Sequence, residues 1–413
     1  MVYLSKELLQ LSDIALKQVE DSFQKIEQIS EKNTLKVIEA FRDCRVSEYH
    51  FKETTGYGYD NIGKDKIGEV FSKICKAEKA IFSQQFVSGT HALSCVLFGI
   101  LRPGDTLLSV TGTPYDTMQT VIGKNKHVDG SLTDWKIGYE EIPMTENGVD
   151  IDKLEEKINT KTKMILIQRS RGYSLRKPLS TEEIKTICTK AHEIKPDIIC
   201  FVDNCYGEFV EIIEPIEVGA DIIAGSLIKN PGGGIAPSGG YIAGKQELVE
   251  LASYRLTAPG LGDHLGATAN GNRLLFQGLF LAPHVVSQAL KSAVFTAALF
   301  KLLGYETVPD FSQSRQDIIQ AIKFNSSEKM IKFCQQLQNY SPIDSNVKPI
   351  PADMPGYKDK IIMASGSFIQ GSSIEISADG PLRDPYIAYL QGGLTFEHSK
   401  LAILNAAQAI MEK

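Results

Sequence analysis

Between residues 80 and 256, short apolar runs alternate with amphipathic stretches of helical length, and this alternation limits the possible folds more than any other feature. Strand-length runs occupy 80–87, 106–110, 136–142, 163–168, 198–203 and 221–224. Helical spacing fills 66–80, 92–100, 150–158 and 181–194 between them. Strand and helix alternating at this interval imply right-handed βαβ units and a mostly parallel sheet. Ligands of open α/β sheets lie at the carboxyl ends of the strands, so the residues just after each run matter most.

Five of those positions carry chemistry. After the run Asp221–Ala224 and the break Gly225-Ser226, Lys229 sits just before the glycine-rich turn Pro231–Gly234, and a second apolar run begins at Gly240. Lysine shifts its pKa readily when desolvated, and a neutral amine can form a Schiff base. Lys229 is therefore a candidate anchor for pyridoxal phosphate (PLP) or a plain loop lysine. Asp203 closes an apolar strand, either as a turn or cap aspartate or as a counter-ion for a ligand cation. Ser88-Gly89-Thr90 stands where a helix begins. Free N–H groups and the helix dipole favour an anion there, although serine is also an ordinary cap. Tyr115 follows the strand 106–110, placed to stack on a planar ligand or to line the rim. Arg169 and Arg171 follow the strand 163–168 and either bind an anion or solvate a turn.

Outside this block the signals are sparser. Residues 5–44 read as two helices, part of an N-terminal arm over 1–55. A glycine-rich loop at 54–65 carries Tyr57 and Tyr59, which either contact a ligand or partner or anchor the loop. The large α/β domain is expected over 56–284. A smaller α+β domain over 285–413 opens with a helix Val285–Leu303 and has strands at 361–368 and 373–377, helices at 329–337 and 396–412, and a proline-rich loop at 339–356. Its Arg383, in a Gly/Pro turn, suits a bidentate grip on a carboxylate or serves as a surface charge.

With 413 residues, 43% hydrophobic and 23% charged, the chain has ample material for a core. The net charge of −6 is interspersed, giving no nucleic-acid surface. No apolar run approaches a membrane span and no signal-peptide pattern opens the chain, so no membrane contact and a cytoplasmic location are expected. Seven scattered cysteines contain no CxxC pair, and no cluster has metal-ligand spacing, so no metal is expected.

The order of these signals fits PLP chemistry by role: phosphate-type helix start, stacking aromatic, strand-end acid, lysine, distal arginine. Ser226, three residues before Lys229, is within reach of the phosphate. The segments Ser88–Ala92, Thr113–Asp116, Gln168–Tyr173, Val202–Phe209, Gly225–Gly234 and Ser377–Arg383 resemble the fold-type I PLP enzymes. Most closely they resemble the methionine γ-lyase/cystathionine β-lyase-like group often labelled aluminium-resistance proteins. The resemblance implies a PLP-dependent transferase-like fold and a homotetramer of tight dimers. It implies a cofactor held by Ser88, Gly89, Thr90, Tyr115, Asp203, Ser226 and Lys229, with Tyr57 or Tyr59 reaching the neighbouring subunit's phosphate. The family's Tyr-x-Arg at that point is Tyr57-Gly58-Tyr59 in this chain, without the arginine. Arg383 would hold the substrate carboxylate, and Lys229, Tyr115 and Asp203 would be catalytic. The activity implied is a carbon–sulfur lyase that releases a keto acid, ammonia and a thiol from sulfur-containing amino acids. An aminotransferase, an aldolase-type enzyme and a non-catalytic PLP-fold stress-response protein are the alternatives.

Overall fold

A computed structural model describes residues 4–124, 127–145, 148–269, 271–354 and 357–412. Met1–Tyr3 of the expected arm, Asn270 of the expected connection and Pro355 and Gly356 of the expected loop lie outside them. The large sheet holds β1 (Lys79–Ser83), β2 (Thr106–Ser109), β3 (Gly138–Glu141), β4 (Thr162–Gln168), β5 (Ile199–Asp203), β6 (Ile222–Ser226) and β7 (Gly240–Gly244). Their order is β1-β7-β6-β5-β4-β2-β3, and β7 alone runs antiparallel to its neighbours. The mostly parallel sheet expected from the alternation is therefore present.

Both faces of the sheet are covered, because successive strand residues point to opposite sides. Met164, Leu166, Phe201 and Ala224 pack with α4 (Gly89–Ile100), α5 (Asp116–Ile122) and α8 (Gln246–Leu256). Ile165, Ile167, Val202 and Ile223 face the other way, onto α3 (Ile62–Cys75), α7 (Thr181–Ile194) and α9 (Asn272–Leu302). The arm helices α1 (Lys6–Gln18) and α2 (Glu20–Asp43) lie along α9, while α6 (Asp152–Lys157) lies by α7.

A second sheet is wholly antiparallel. It contains β8 (Glu306–Val308), β9 (Gln320–Lys323), β10 (Ile361–Ala364), β11 (Ser377–Pro381) and β12 (Ile387–Gln391) in the order β10-β11-β12-β9-β8. The helices α10 (Ser327–Asn339) and α11 (Phe396–Met411) complete this lobe.

Several boundaries differ from the expectation. The helix expected at 66–80 is α3, which begins earlier because Asn61 caps it, accepting from the Lys64 N–H. The strand expected at 373–377 is β11, shifted to Ser377–Pro381, while Ile374 and Ile376 are buried without belonging to it. The helix expected from Val285 begins at Asn272, so the boundary drawn at 284/285 falls inside it. Pro283 obscures that helix in the sequence, since an interior proline removes one backbone hydrogen bond. This helix is also long and apolar enough to cross a membrane, contrary to the sequence reading. However, 78% of its most apolar window is buried in the protein, where it serves as core.

Sequence spacing also hid one cluster. His192 Nε2 lies 3.0 Å from Asp221 Oδ2 and 3.7 Å from Cys200 Sγ, at the amino ends of β5 and β6. Asp221 further accepts the Cys200 N–H at 2.7 Å and pairs with Lys245 at 2.7 Å. Its oxygens are thus already engaged, and the cluster clasps α7 to the sheet and to the start of α8.

Behind the sheet, Glu208 is buried with its Oε1 accepting from the Tyr241 hydroxyl at 2.7 Å and its Oε2 without a partner. Burial pushes its carboxyl up to about 8, against the pull of the Tyr241 hydrogen bond. A carboxyl raised in the folded state is favoured when neutral. Folding therefore loses stability as pH rises from the unfolded value of 4.5 through about 8. Glu208→Gln is expected to flatten the fall in Tm between pH 5 and pH 8, and parallel melting curves of both proteins across that range would refute this.

Candidate active site

The carboxyl ends of three adjacent strands open into one cavity of about 1370 Å³. Register sets Gln168 of β4 beside Asp203 of β5, and Asp203 beside Ala224 of β6, two residues before Ser226. One end of the cavity is the start of α4. Ser88 caps the helix by accepting the His91 N–H, so the cap reading holds. The first-turn N–H groups still lack partners within the helix, as at any helix start. Gly89 abuts the end of β6 so closely that a Cβ there would lie 2.9 Å from the Ser226 Cβ. Two hydroxyls, free amides and a positive dipole end therefore surround one small space, and an anion such as a phosphate fits it.

Tyr115 stands just before α5, its N–H donating to Gln168 Oε1 at 3.0 Å and its hydroxyl 3.3 Å from Thr90 Oγ1. Burial pushes the phenol well up, with the Asp203 charge adding to the effect, so Tyr115 is a neutral hydroxyl in the cavity.

Asp203 is 5% exposed, and its Oδ1 accepts the Cys205 N–H at 3.2 Å. Burial raises its pKa, opposed by the charge of Lys229. Lys229 precedes the single turn Asn230–Gly232, with its Nζ 3.8 Å from the centre of the Tyr206 ring. Burial alone pushes the Lys229 amine down, as the sequence reading supposes. Tyr206, Cys205 and Asp203 outweigh it and hold the amine above its ordinary value. Lys229 is a cation here, set between an acid and an aromatic face. Tyr206 reaches it from a left-handed backbone position, φ 69°, which the sequence gives no sign of.

The two sequence-flagged arginines serve the fold. Arg169 is fully buried, its guanidinium bonded to Glu211 (2.6 Å), Asn204 (2.8 Å) and the Gly207 carbonyl (3.0 Å). Arg171 is buried against Asp317 (3.5 Å) and the Val308 carbonyl (2.9 Å). Arg171 thus links the large sheet to the small one. Neither arginine solvates a turn, because both side chains run inward. Arg383 follows β11 at the cavity mouth, largely exposed and 3.3 Å from Asp359.

Asp379, Tyr173, Tyr357, Tyr389 and Arg176 also line the cavity; Tyr173 and Asp379 lie in segments that carry the family resemblance, but none of the five is among the expected site residues. Tyr57 and Tyr59 do not line it. They are 71% and 64% exposed, with rings 5.7 Å apart.

The methionine gamma-lyase family model matches residues 8–411. The chain belongs to the methionine gamma-lyase family. Enzymes of this family depend on PLP. The protein YnbB of Bacillus subtilis is 51% identical over 390 residues, covering 94% of this chain and 93% of that one. Among solved structures, a candidate cystathionine beta-lyase involved in aluminum resistance from Listeria monocytogenes is 51% identical. It superposes with a TM-score of 0.96 over 97% of this chain and 100% of its own. A carbon–sulfur lyase involved in aluminum resistance from Clostridium novyi is 48% identical, with a TM-score of 0.95 over 98% of this chain and 96% of its own. The fold-type I architecture with its small antiparallel lobe is thus that of this methionine gamma-lyase branch. These relatives support a carbon–sulfur lyase acting on sulfur amino acids.

Proposed function

We propose that the chain is a PLP-dependent carbon–sulfur lyase that releases a keto acid, ammonia and a thiol by α,β- or α,γ-elimination. The observation that carries the reading is a single cavity holding an anion cradle at one end and the Asp203–Lys229 pair at the other. Ser88, Gly89, Thr90 and Ser226 bind the cofactor phosphate. Asp203 would hold a proton on the cofactor's ring nitrogen, and Tyr115 would pack on its ring. When bound, PLP supplies an electron sink for the charge left at the substrate Cα.

Lys229 anchors the cofactor through Nζ. The same atom, when free as an amine, would take the substrate Cα proton as general base. The neutral Tyr115 hydroxyl donates a proton to the departing sulfur. Arg383 holds the substrate carboxylate at the mouth. Tyr57 or Tyr59, exposed on this chain, reaches the phosphate of a neighbouring subunit in a homotetramer built from two tight dimers. Seven free, buried cysteines accord with a reducing cytoplasm.

The test is a screen of the holoenzyme against cystathionine, cysteine, methionine and homocysteine. Ammonia and a 2-keto acid should appear with no added keto acid. Turnover that needs a keto-acid acceptor would assign an aminotransferase instead, and no product from any of the four would overturn the lyase reading.

A further inference from the structure

One buried carboxyl in the cavity has no place in the reaction described above. Asp379 of β11 is 5% exposed and lines the cavity. It forms no salt bridge with any described residue. Its neighbours are aromatic. Tyr389 is its register partner on β12, and Tyr173 is hydrogen-bonded to it. The Tyr173 ring lies 5.3 Å from that of Tyr389 and 5.8 Å from that of Tyr357. Burial lifts the Asp379 carboxyl to about 7, opposed by the Tyr173 hydrogen bond and the Lys229 charge.

Of the cavity's own cations, Lys358 is exposed to solvent, and the others face different partners. Arg171 pairs with Asp317, and Arg383 pairs with Asp359. Arg176 donates to the carbonyls of Gln168 and Ser170. Lys229 faces Tyr206 and Asp203. A buried carboxylate is costly unless a cation meets it, and tyrosine faces attract cations. A box of three tyrosines around a carboxylate therefore has the chemistry of an ammonium site.

We propose that Asp379, Tyr173, Tyr357 and Tyr389 bind a cationic group on the far side of the substrate's sulfur. The enzyme would then select thioether amino acids carrying a second ammonium over those ending in a methyl group. This rests on the lyase reading of the cavity, so the test separates the two. Turnover is compared for S-(2-aminoethyl)cysteine and S-propylcysteine, which have the same length and differ in a terminal ammonium against a methyl. Binding to the holoenzyme is compared by calorimetry for lysine and 2-aminoheptanoate, a pair matched in the same way that contains no sulfur.

In the unmodified enzyme the cationic member is expected to be favoured at least tenfold in both pairs, the scale of one charge-assisted hydrogen bond. Asp379→Asn, which keeps the volume and should keep the fold, is expected to remove about tenfold of that preference. Tyr357→Leu, at a half-buried position, is expected to remove a smaller part. Equal binding and equal turnover within each pair, or a preference that Asp379→Asn leaves unchanged, would overturn the subsite. A binding preference for lysine with no keto acid from either thioether, nor from cystathionine, cysteine, methionine or homocysteine, would keep the subsite and overturn the lyase.

Discussion

Lys229→Ala is expected to lower kcat by about 10³-fold or more and to remove the visible absorbance of the lysine-bound cofactor. The size follows from the two jobs on one atom. A positioned general base alone contributes about 10² to 10⁴-fold, and the covalent anchor adds to it. The surroundings of Lys229 also explain why no neighbour can substitute. Its Nζ sits over the Tyr206 ring at 3.8 Å and feels Asp203, and the other nearby cation, Arg176, is tied to three backbone carbonyls. Lys229→Arg tests charge against chemistry. It restores a cation beside Asp203 but supplies neither a neutral nucleophile nor a base, because guanidinium does not deprotonate in this range. Both variants should be equally inactive. Activity in Lys229→Arg within tenfold of the unmodified enzyme would refute the covalent role, as would unchanged absorbance in Lys229→Ala.

Arg169→Ala is expected to cost about 3–5 kcal/mol of folding stability, measured by urea denaturation. Its guanidinium makes bonds to Glu211, Asn204 and Gly207 that fix the segment following β5. A Cβ on Gly207 would come within 2.4 Å of the Arg169 Cδ, so backbone and side chain are already in tight contact there. Removing the arginine leaves Glu211 with its bonds from Thr181 but no arginine, takes the cation from the buried Glu214 at 3.9 Å, and empties the volume under Gly207. The loss reaches the site as well, because Tyr206 precedes Gly207 and holds its ring against Lys229 from a left-handed position. A stability change below 1 kcal/mol would show that the network is dispensable.

The sequence made parts of this site legible for a physical reason. Ser88, Asp203 and Lys229 each sit at a break between a periodic apolar run and a small-residue turn. In a parallel sheet such breaks all fall on one edge. Arg169 and Arg171 sit at the same kind of break, yet they point inward. Strand periodicity gives the alternation of faces without saying which face meets water and which meets the α7 side. Asp379 lay within a segment that resembles the family, but its role depends on β11 pairing with β12. The short strands β8, β9 and β12 have no counterpart among the expected strands, because they lack the flanking helix-and-turn alternation that marks the equally short strands of the large sheet. The start of α9 was lost to Pro283, whose missing hydrogen bond breaks the pattern in the sequence while the surrounding packing tolerates it in the fold.

That helix bears on how the chain can be cut. Thirty-one residues at 1.5 Å each make a rod of about 46 Å. Its first half packs with Gly232 and Gly233 behind the lysine turn, and its last turns pack under β8 and β9. A split-protein reporter or a domain graft severed at 284/285 would leave each fragment with half a rod and a bare apolar stripe. The cofactor half and the substrate half of the cavity are therefore mechanically one part, to be transplanted or duplicated only together.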